Sequence, residues 1–293
     1  MGYVNFKPTV WSEHIQTELD KNAVLLEDCN REFEGEASKG CKVKILGIAR
    51  PTIGDYEGTD IGAPEEVDDD VQFLDIDYAK FFNIGVDDVD KAQSIEGLMP
   101  AILSEAAAEL AKERDKAIAY NACNCLDCES SDAVTIATPD EAKAAVDKAF
   151  VTLWGNGVNV GDEMVLNVTP WFYNLFKDKM TAIYTDNMEL LKSGIVGMYN
   201  GAAVKISTNL YKDEGVDYMM LRTKKAIAFA GQISETEAYR PENLFMDAVK
   251  GLDTYGVKVV RPKELYVIAA INSEPDDVDD GGNGDGGEEE DDA

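Results

Sequence analysis

Apolar positions along this chain follow two rhythms. Where they recur every third or fourth residue an amphipathic helix is expected, and where they alternate with polar residues a half-buried strand. After Pro8 and Thr9, the residues Trp11, Ile15, Leu19, Val24 and Leu25 form a rough helical stripe on an otherwise polar segment. A short helix near a terminus needs a surface to cover its stripe, and its own chain and a neighbouring chain are equal candidates. Two strand-like runs follow. Val43, Ile45 and Ile48 mark the first, and in the second Leu74, Ile76 and Tyr78 alternate with Asp75 and Asp77. Between them lie the 22 residues Ala49–Asp70, punctuated by Pro51, Gly54, Gly58, Gly62 and Pro64. So long a connection is uncommon inside a compact domain. A hairpin that reaches away from its own body accommodates both the strands and the loop.

The longest helix is expected from Ser94 or Pro100 to about Tyr120, with Ile95, Leu98, Ile102, Ala106 and Leu110 on one face. Glu109–Lys112 and Glu113–Lys116 stand as i,i+3 pairs on the other. From Thr138 onward helices and strands alternate. Thr138-Pro139-Asp140-Glu141 is a capping box with proline at the first helical position, and the helix it opens runs toward Trp154 and stops at Gly155. Met164–Val168 reads as a strand, Thr169-Pro170 opens another helix, and Val204–Ser207, Ala226–Ala230, Val257–Val260 and Leu265–Ile271 read as further strands. No regular βαβ repeat appears, so the fold class is α+β. The last 22 residues, Asn272–Ala293, hold 11 acids, no base and almost nothing apolar. Such a segment cannot offset the entropy of ordering and is expected to be a disordered, solvated acidic tail.

Charge and composition then exclude several functions. Apolar residues make up 45% of the chain, enough for a packed core. No apolar run approaches the ~18 residues that cross a bilayer. Met1–Pro8 also lacks the basic and apolar regions of a secretory signal, so a soluble chain made in the cytosol is expected. The formal net charge is −30, and without the tail 46 acids still face 27 bases. Affinity for nucleic-acid backbones comes from Lys and Arg neutralising phosphates, so this body should repel DNA.

The candidate chemistry is thin. His14 is the sole histidine, and its neighbours Glu13 and Gln16 place it on a solvated helix face. Gly155-x-Gly157 and Gly194-x-x-Gly197 lack the spacing of phosphate-binding loops. Acid pairs such as Glu65-Glu66 and Asp87-Asp88 carry little information in so acidic a chain. Cys123, Cys125 and Cys128 crowd three thiols into six residues, a partial ligand set that Cys29 or Cys41 would have to complete for zinc or an iron–sulfur cluster. The odd total of five argues against structural disulfides, and three reduced thiols at a helix end are expected. No catalytic residue, cofactor site or metal ligand is assigned, and the chain is not expected to be an enzyme.

The order of parts is terminal arm, long reaching hairpin, long helix, then mixed domain. It resembles the major capsid proteins of tailed bacteriophages with the Hong Kong 97-like fold. Ile84–Ser94 (IGVDDVDKAQS) is similar to the family's passage from extended loop into spine helix, and Asp115 stands where an Asp commonly occurs near that helix's end. Ser193–Ser207 (SGIVGMYNGAAVKIS) resembles the glycine-and-strand pattern of the axial domain. Arg240-Pro241-Glu242 and Asp247–Pro262 (DAVKGLDTYGVKVVRP) resemble the closing peripheral strands. The likeness runs from about Lys42 to Ile271. On it, residues 1–35 are the N-terminal arm and 36–80 the extended loop. Residues 81–137 and 223–262 form the peripheral domain, 138–222 and 263–271 the axial domain, and 272–293 the tail.

The resemblance implies a structural subunit that assembles with itself into hexamers and pentamers of an icosahedral head around double-stranded DNA, with no membrane and no cofactor. It further implies a virion location, assembly in the host cytoplasm, a portal, a separate scaffolding protein because no long segment precedes the arm, and a surface open to a decoration protein. No pair of residues suited to covalent cross-linking between subunits is recognisable. The acidic loop, with 13 acids and only Lys80 as a base between Gly54 and Asp90, is expected either to lie over a basic strip of an adjacent subunit or to stay solvated, its charge serving solubility. That strip would draw on Lys177, Lys179, Lys224 or Lys225, with Asp68, Asp69 and Asp70 as its counter-charges. Two alternatives stand beside this reading: an encapsulin-like compartment of the same fold, and an acidic metal-binding enzyme using Cys123, Cys125 and Cys128.

Overall fold

The computed structural model describes residues 18, 19, 22–32, 42–48, 69–87, 98–179, 181, 182, 195–243 and 245–273. Trp11, His14, Ile15, Cys41, the loop 49–68, residues 94 and 95 of the expected helix start, and the tail from 274 lie outside them.

Helix α1 (Leu98–Cys123) is the longest helix among the described residues. Its Ala-, Glu- and Leu-rich sequence favours helix, and Pro100 lies in the first turn, where its missing N–H leaves no intrahelical bond unmade. The two i,i+3 pairs form, Glu109 to Lys112 at 2.5 Å and Glu113 to Lys116 at 2.9 Å. The buried stripe differs from the expected one. Leu103, Ala107, Leu110, Ala111, Ile118 and Ala122 are buried, whereas Ile102 and Ala106 are only half-buried. The helix is covered on more than one side, and Arg114 and Asp115 are buried with the apolar residues. A covered face that includes charges does not read as an apolar stripe.

Among the described residues the strands make three sheets. Strands β1 (Lys42–Ile48) and β2 (Asp69–Asp75) form an antiparallel pair that carries the long loop at its far end. β3 (Tyr78–Asp87) belongs to another sheet. The single strand expected through Leu74–Tyr78 is therefore two, broken at Ile76-Asp77. The three-stranded sheet has the order β12-β13-β3, built from β12 (Ile227–Tyr239), β13 (Met246–Val259) and β3. β12 and β13 extend far beyond the expected Ala226–Ala230 and Val257–Val260; along β13 the buried Ala248, Val249, Asp253 and Tyr255 are interspersed with the exposed Lys250 and Leu252, so no continuous apolar run marks the strand.

The third sheet has nine strands among the described residues. Its path runs β4 (Glu129–Ser130), β14 (Leu265–Asn272), β11 (Val216–Thr223), β6 (Met164–Val168), β9 (Ala202–Ile206), β8 (Ile195–Tyr199), β7 (Thr181–Ala182). β5 (Val134–Ile136) adds to β14 and β10 (Lys212–Asp213) to β11. β11 has no counterpart in the expected elements. Helices α2 (Pro139–Gly155) and α3 (Pro170–Phe176) cover one face, burying Val146, Phe150, Leu153, Phe172 and Phe176 against Leu166, Val204, Leu221 and Ile268. The expected capping box opens α2: Glu141 N–H donates to Thr138 Oγ1 at 3.3 Å, and the Glu141 carboxylate accepts from Thr138 N–H at 3.1 Å. Asn200 and Gly201, both at positive φ, make the two-residue turn from β8 to β9 that such hairpins require.

At the break between β2 and β3 the chain passes directly over β13. A Cβ at Gly256 would lie 2.2 Å from the Asp75 carbonyl oxygen and 3.2 Å from Ile76 Cα. Those are backbone atoms, which cannot rotate aside. Gly256→Ala should displace the root of the β1–β2 hairpin and cost about 3 kcal/mol in denaturant unfolding. Gly161→Ala, with nothing within 4 Å of its Cβ, should stay within about 0.5 kcal/mol of the parent. Equal stability of the two variants would contradict this crossing.

Candidate functional site

The face of the nine-stranded sheet turned away from α2 and α3 carries buried polar and charged residues among apolar ones. Across it Met220, Asn167 and Lys205 stand in register on neighbouring strands, with Arg222 two residues along β11. All are buried. What covers them is residues 23–30, a short segment that includes a single 3-10 turn at Leu26–Asp28. The expected stripe residues Leu19 and Leu25 are fully buried in the same core as α1, so this part packs within its own chain.

Charged side chains satisfy the backbone of that segment from two sides. From α1, the Asp115 carboxylate accepts the N–H groups of Val24, Leu25 and Leu26 at 3.1, 3.1 and 3.3 Å, and the Asn209 amide at 3.4 Å. From β11, Arg222 donates to the carbonyls of Leu25 at 2.8 Å and Asp28 at 2.5 Å. Lys205 pairs with Asp28 at 2.9 Å and Glu27 at 2.7 Å. Asn30 then joins β12 as a parallel bridge, donating to the Ile227 carbonyl and accepting from Phe229 N–H. One short segment thus ties together α1, the nine-stranded sheet and the three-stranded sheet. A second tie is wholly buried: Arg114 of α1 grips Asp253 of β13 with two hydrogen bonds of 2.8 and 2.5 Å, its guanidinium lying by the rings of Phe229 and Tyr255.

Burial dominates the electrostatics of Asp115 and pushes its carboxyl up to about 6, against the opposing pull of Val24 N–H, the Asn209 amide and the other two backbone donors. Burial also raises the Cys29 thiol, with the neighbouring Arg222 opposing it.

The outward surfaces differ in character. Among the described residues β3 is an edge strand, and on it Phe81 is 78% exposed beside its cross-strand partner Leu252, 38% exposed. A groove lined by Phe81, Phe82, Asn83, Lys250, Gly251 and Leu252 opens there. A long exposed apolar edge is a ready template for another chain. Three of the four lysines expected to form a basic strip have partners within the chain. Lys179 pairs with Asp140 at 2.7 Å, Lys224 with Glu163 at 2.9 Å, and Lys177 donates to Asn174 at 2.8 Å.

The cysteines depart from the expectation of three reduced thiols: Cys125 and Cys128 are joined in a disulfide, while Cys123 and Cys29 are free. The four-residue spacing lets one turn after the helix bring the pair together, which an odd total count cannot reveal. Cys29 is buried against Arg222, in the junction. Among the described residues no group of three or more His, Cys, Asp or Glu could hold a metal ion, and no helix is long and apolar enough to cross a membrane. The buried charges at Arg114, Lys205 and Arg222 have no sequence signal, since each is matched by a partner remote in the chain.

No protein-family model and no curated protein matches the chain. A solved structure from Mycobacterium phage Che8 does, at 30% identity and a TM-score of 0.65, covering 84% of this chain and 90% of that one. The mature capsid of bacteriophage PhiM1 matches at 17% identity and a TM-score of 0.55, covering 79% and 82%. A virus-like particle from Pyrococcus furiosus matches at 14% identity and a TM-score of 0.56, covering 89% and 98%. The chain belongs to the major capsid protein family of tailed bacteriophages and has its Hong Kong 97-like fold. It is a structural capsid protein of the virion.

Because Asp115 binds its proton more tightly in the folded chain than an ordinary aspartate does, its ionised form is the costly one. The stability this group contributes is present below about pH 4 and lost as pH rises through 6, an effect of up to about 3 kcal/mol. Asp115→Asn does not titrate, so its denaturation midpoint should gain on the parent's as pH goes from 4 to 7. Two parallel curves would contradict the placement of Asp115.

Proposed function

We propose that this chain assembles with itself, as hexamers and pentamers, into an icosahedral head that encloses double-stranded DNA, and that it does so without catalysis. The single observation carrying this is the exposed apolar pair Phe81 and Leu252, in a chain that forms a separate two-stranded hairpin sheet and is 30% identical to the Che8 structure. A shell needs contacts that differ on the two partners and close by rotation, and plates with projecting parts supply them. Many such contacts, each weak, add through multivalency.

On this reading residues 1–35 are the arm, 36–80 the extended loop and 272–293 a solvated tail. Residues 81–137 and 223–262 serve as the peripheral domain around α1 and the three-stranded sheet. Residues 138–222 and 263–271 serve as the axial domain around the nine-stranded sheet, which also takes in β4 and β5 from the preceding segment. Assembly takes place in the host cytoplasm with a separate scaffolding protein and a portal, and a decoration protein can attach outside. The encapsulin-like alternative is favoured less, since the structure matched at 30% identity is from a phage.

Expression with and without a scaffolding partner, followed by negative-stain electron microscopy, tests assembly. Closed shells or uniform capsomers are expected. Phe81→Asp should leave the subunit's stability within about 0.5 kcal/mol, because the side chain is already exposed, yet sharply lower shell yield. Normal shells from this variant would remove the edge from the interface.

The strong acidity of the chain supports a wall over which packaged DNA slides. Free subunits should show negligible DNA affinity at moderate salt in a mobility assay, and tight binding would contradict that wall.

A further inference from the structure

At the end of α1 the chain turns through Cys123-Asn124-Cys125-Leu126-Asp127-Cys128 before it enters β4. The Asn124 backbone N–H and its side-chain amide both donate to the Tyr120 carbonyl, and Cys128 N–H donates to the Cys125 carbonyl. The disulfide closes this turn into a ring of four residues. Leu126 at its tip is wholly exposed, Asp127 is exposed, and the two bonded cysteines are only half-buried. A small reagent in solvent therefore has access to the ring.

Directly beyond it lies β4, a strand of two residues paired parallel to Tyr266 and Val267 of β14. Ser131 extends the contact: its N–H donates to the Val267 carbonyl at 2.9 Å, and its Oγ accepts from Ala269 N–H at 2.9 Å. This is where the helix of one sheet hands the chain to the other. So short a strand depends on its ends being held, and the ring holds the first of them.

Two features set this bond apart from a buried structural cross-link. A four-residue ring removes little freedom from the unfolded chain, so its closure is weakly favoured compared with that of a long loop. A third cysteine, Cys123, also stands two residues before the pair, half-buried in the last turn of α1. Burial pushes the Cys123 thiol up to about 12, so at neutral pH it stays protonated and does not compete as an attacking thiolate.

We propose that Cys125 and Cys128 are a redox-sensitive clip that exchanges between dithiol and disulfide, and that closing it fixes the turn joining α1 to β4. The oxidant is a small-molecule disulfide, RSSR. The thiolate of one cysteine attacks RSSR, forms a mixed disulfide and releases RS⁻; the thiolate of the other attacks the protein sulfur of that bond and releases the second RS⁻. Two protein thiols are oxidised, one RSSR is reduced to two RSH once the protons lost by the cysteines are taken up, and the reverse sequence opens the clip. A chain made in a reducing compartment carries the clip open, and it closes on passing to an oxidising one. The clip is a property of the folded subunit and does not depend on the proposed assembly.

The test equilibrates the full chain in mixtures of reduced and oxidised glutathione, alkylates it under denaturing conditions and maps the peptides by mass spectrometry. Alkylation should be lost from Cys125 and Cys128 together as the mixture becomes oxidising, with Cys123 alkylated throughout. Hydrogen exchange at the Ser131 amide should be several-fold faster in the open form. Cys125→Ser/Cys128→Ser should match the open form at every ratio, and Cys123→Ser should retain the switch. Overturning results are a pair that stays reduced in fully oxidised glutathione, a bond from Cys123 to either partner, or Ser131 exchange indifferent to the state of the clip.

Discussion

The arrangement of this subunit depends on how it buries the backbone of residues 23–30. A segment with so little regular structure cannot satisfy all of its own N–H and C=O groups, and leaving the rest unpaired in the interior would cost several kcal/mol. The chain solves this with charged side chains. An acceptor, Asp115, comes from the helix side and a fork of donors, Arg222, from the sheet side, so each end of the peptide dipoles meets an opposite charge. The desolvation of these groups is itself costly, which is why Asp115 takes up protons so readily. In return the segment bonds at once to α1 and to a strand of each of the two larger sheets.

From that junction the outward parts follow. Arg114 locks α1 to β13 through Asp253, so the three-stranded sheet is aimed by the same helix that holds the junction. The hairpin β1–β2 then departs where Asp75 and Ile76 cross Gly256, a contact that only a residue without Cβ allows. Under its root, Val43, Ile45 and Leu74 pack on Ala228 and Ala230 of β12. The hairpin and the three-stranded sheet are thus held in fixed relation by apolar packing under the hairpin's root and by the buried Arg114–Asp253 pair.

Much of this was legible locally. The Thr138–Glu141 capping box, the Thr169-Pro170 start and the strands at Met164 and Leu265 rest on neighbours within a few residues, and they form where expected. The α+β class followed from their order. The junction was not legible, because its partners are remote: Arg222 and Leu25 are 197 residues apart. Asp115 was noticed through the family resemblance alone, and nothing near it announces three backbone donors from residues 24–26. The length of β13 was hidden for another reason: its buried positions include Asp253 and are interspersed with Lys250 and Thr254, so no apolar run marks it.

The most direct test of the junction is amide hydrogen exchange in Arg222→Met, which keeps the bulk of the side chain and removes its donors. The account predicts that the amides of Leu25–Cys29 lose protection by orders of magnitude, while α2 and its partner strands exchange as in the parent. Unchanged protection across residues 25–29 would mean that apolar packing alone seats the segment, and the central role given to its buried charges would be wrong.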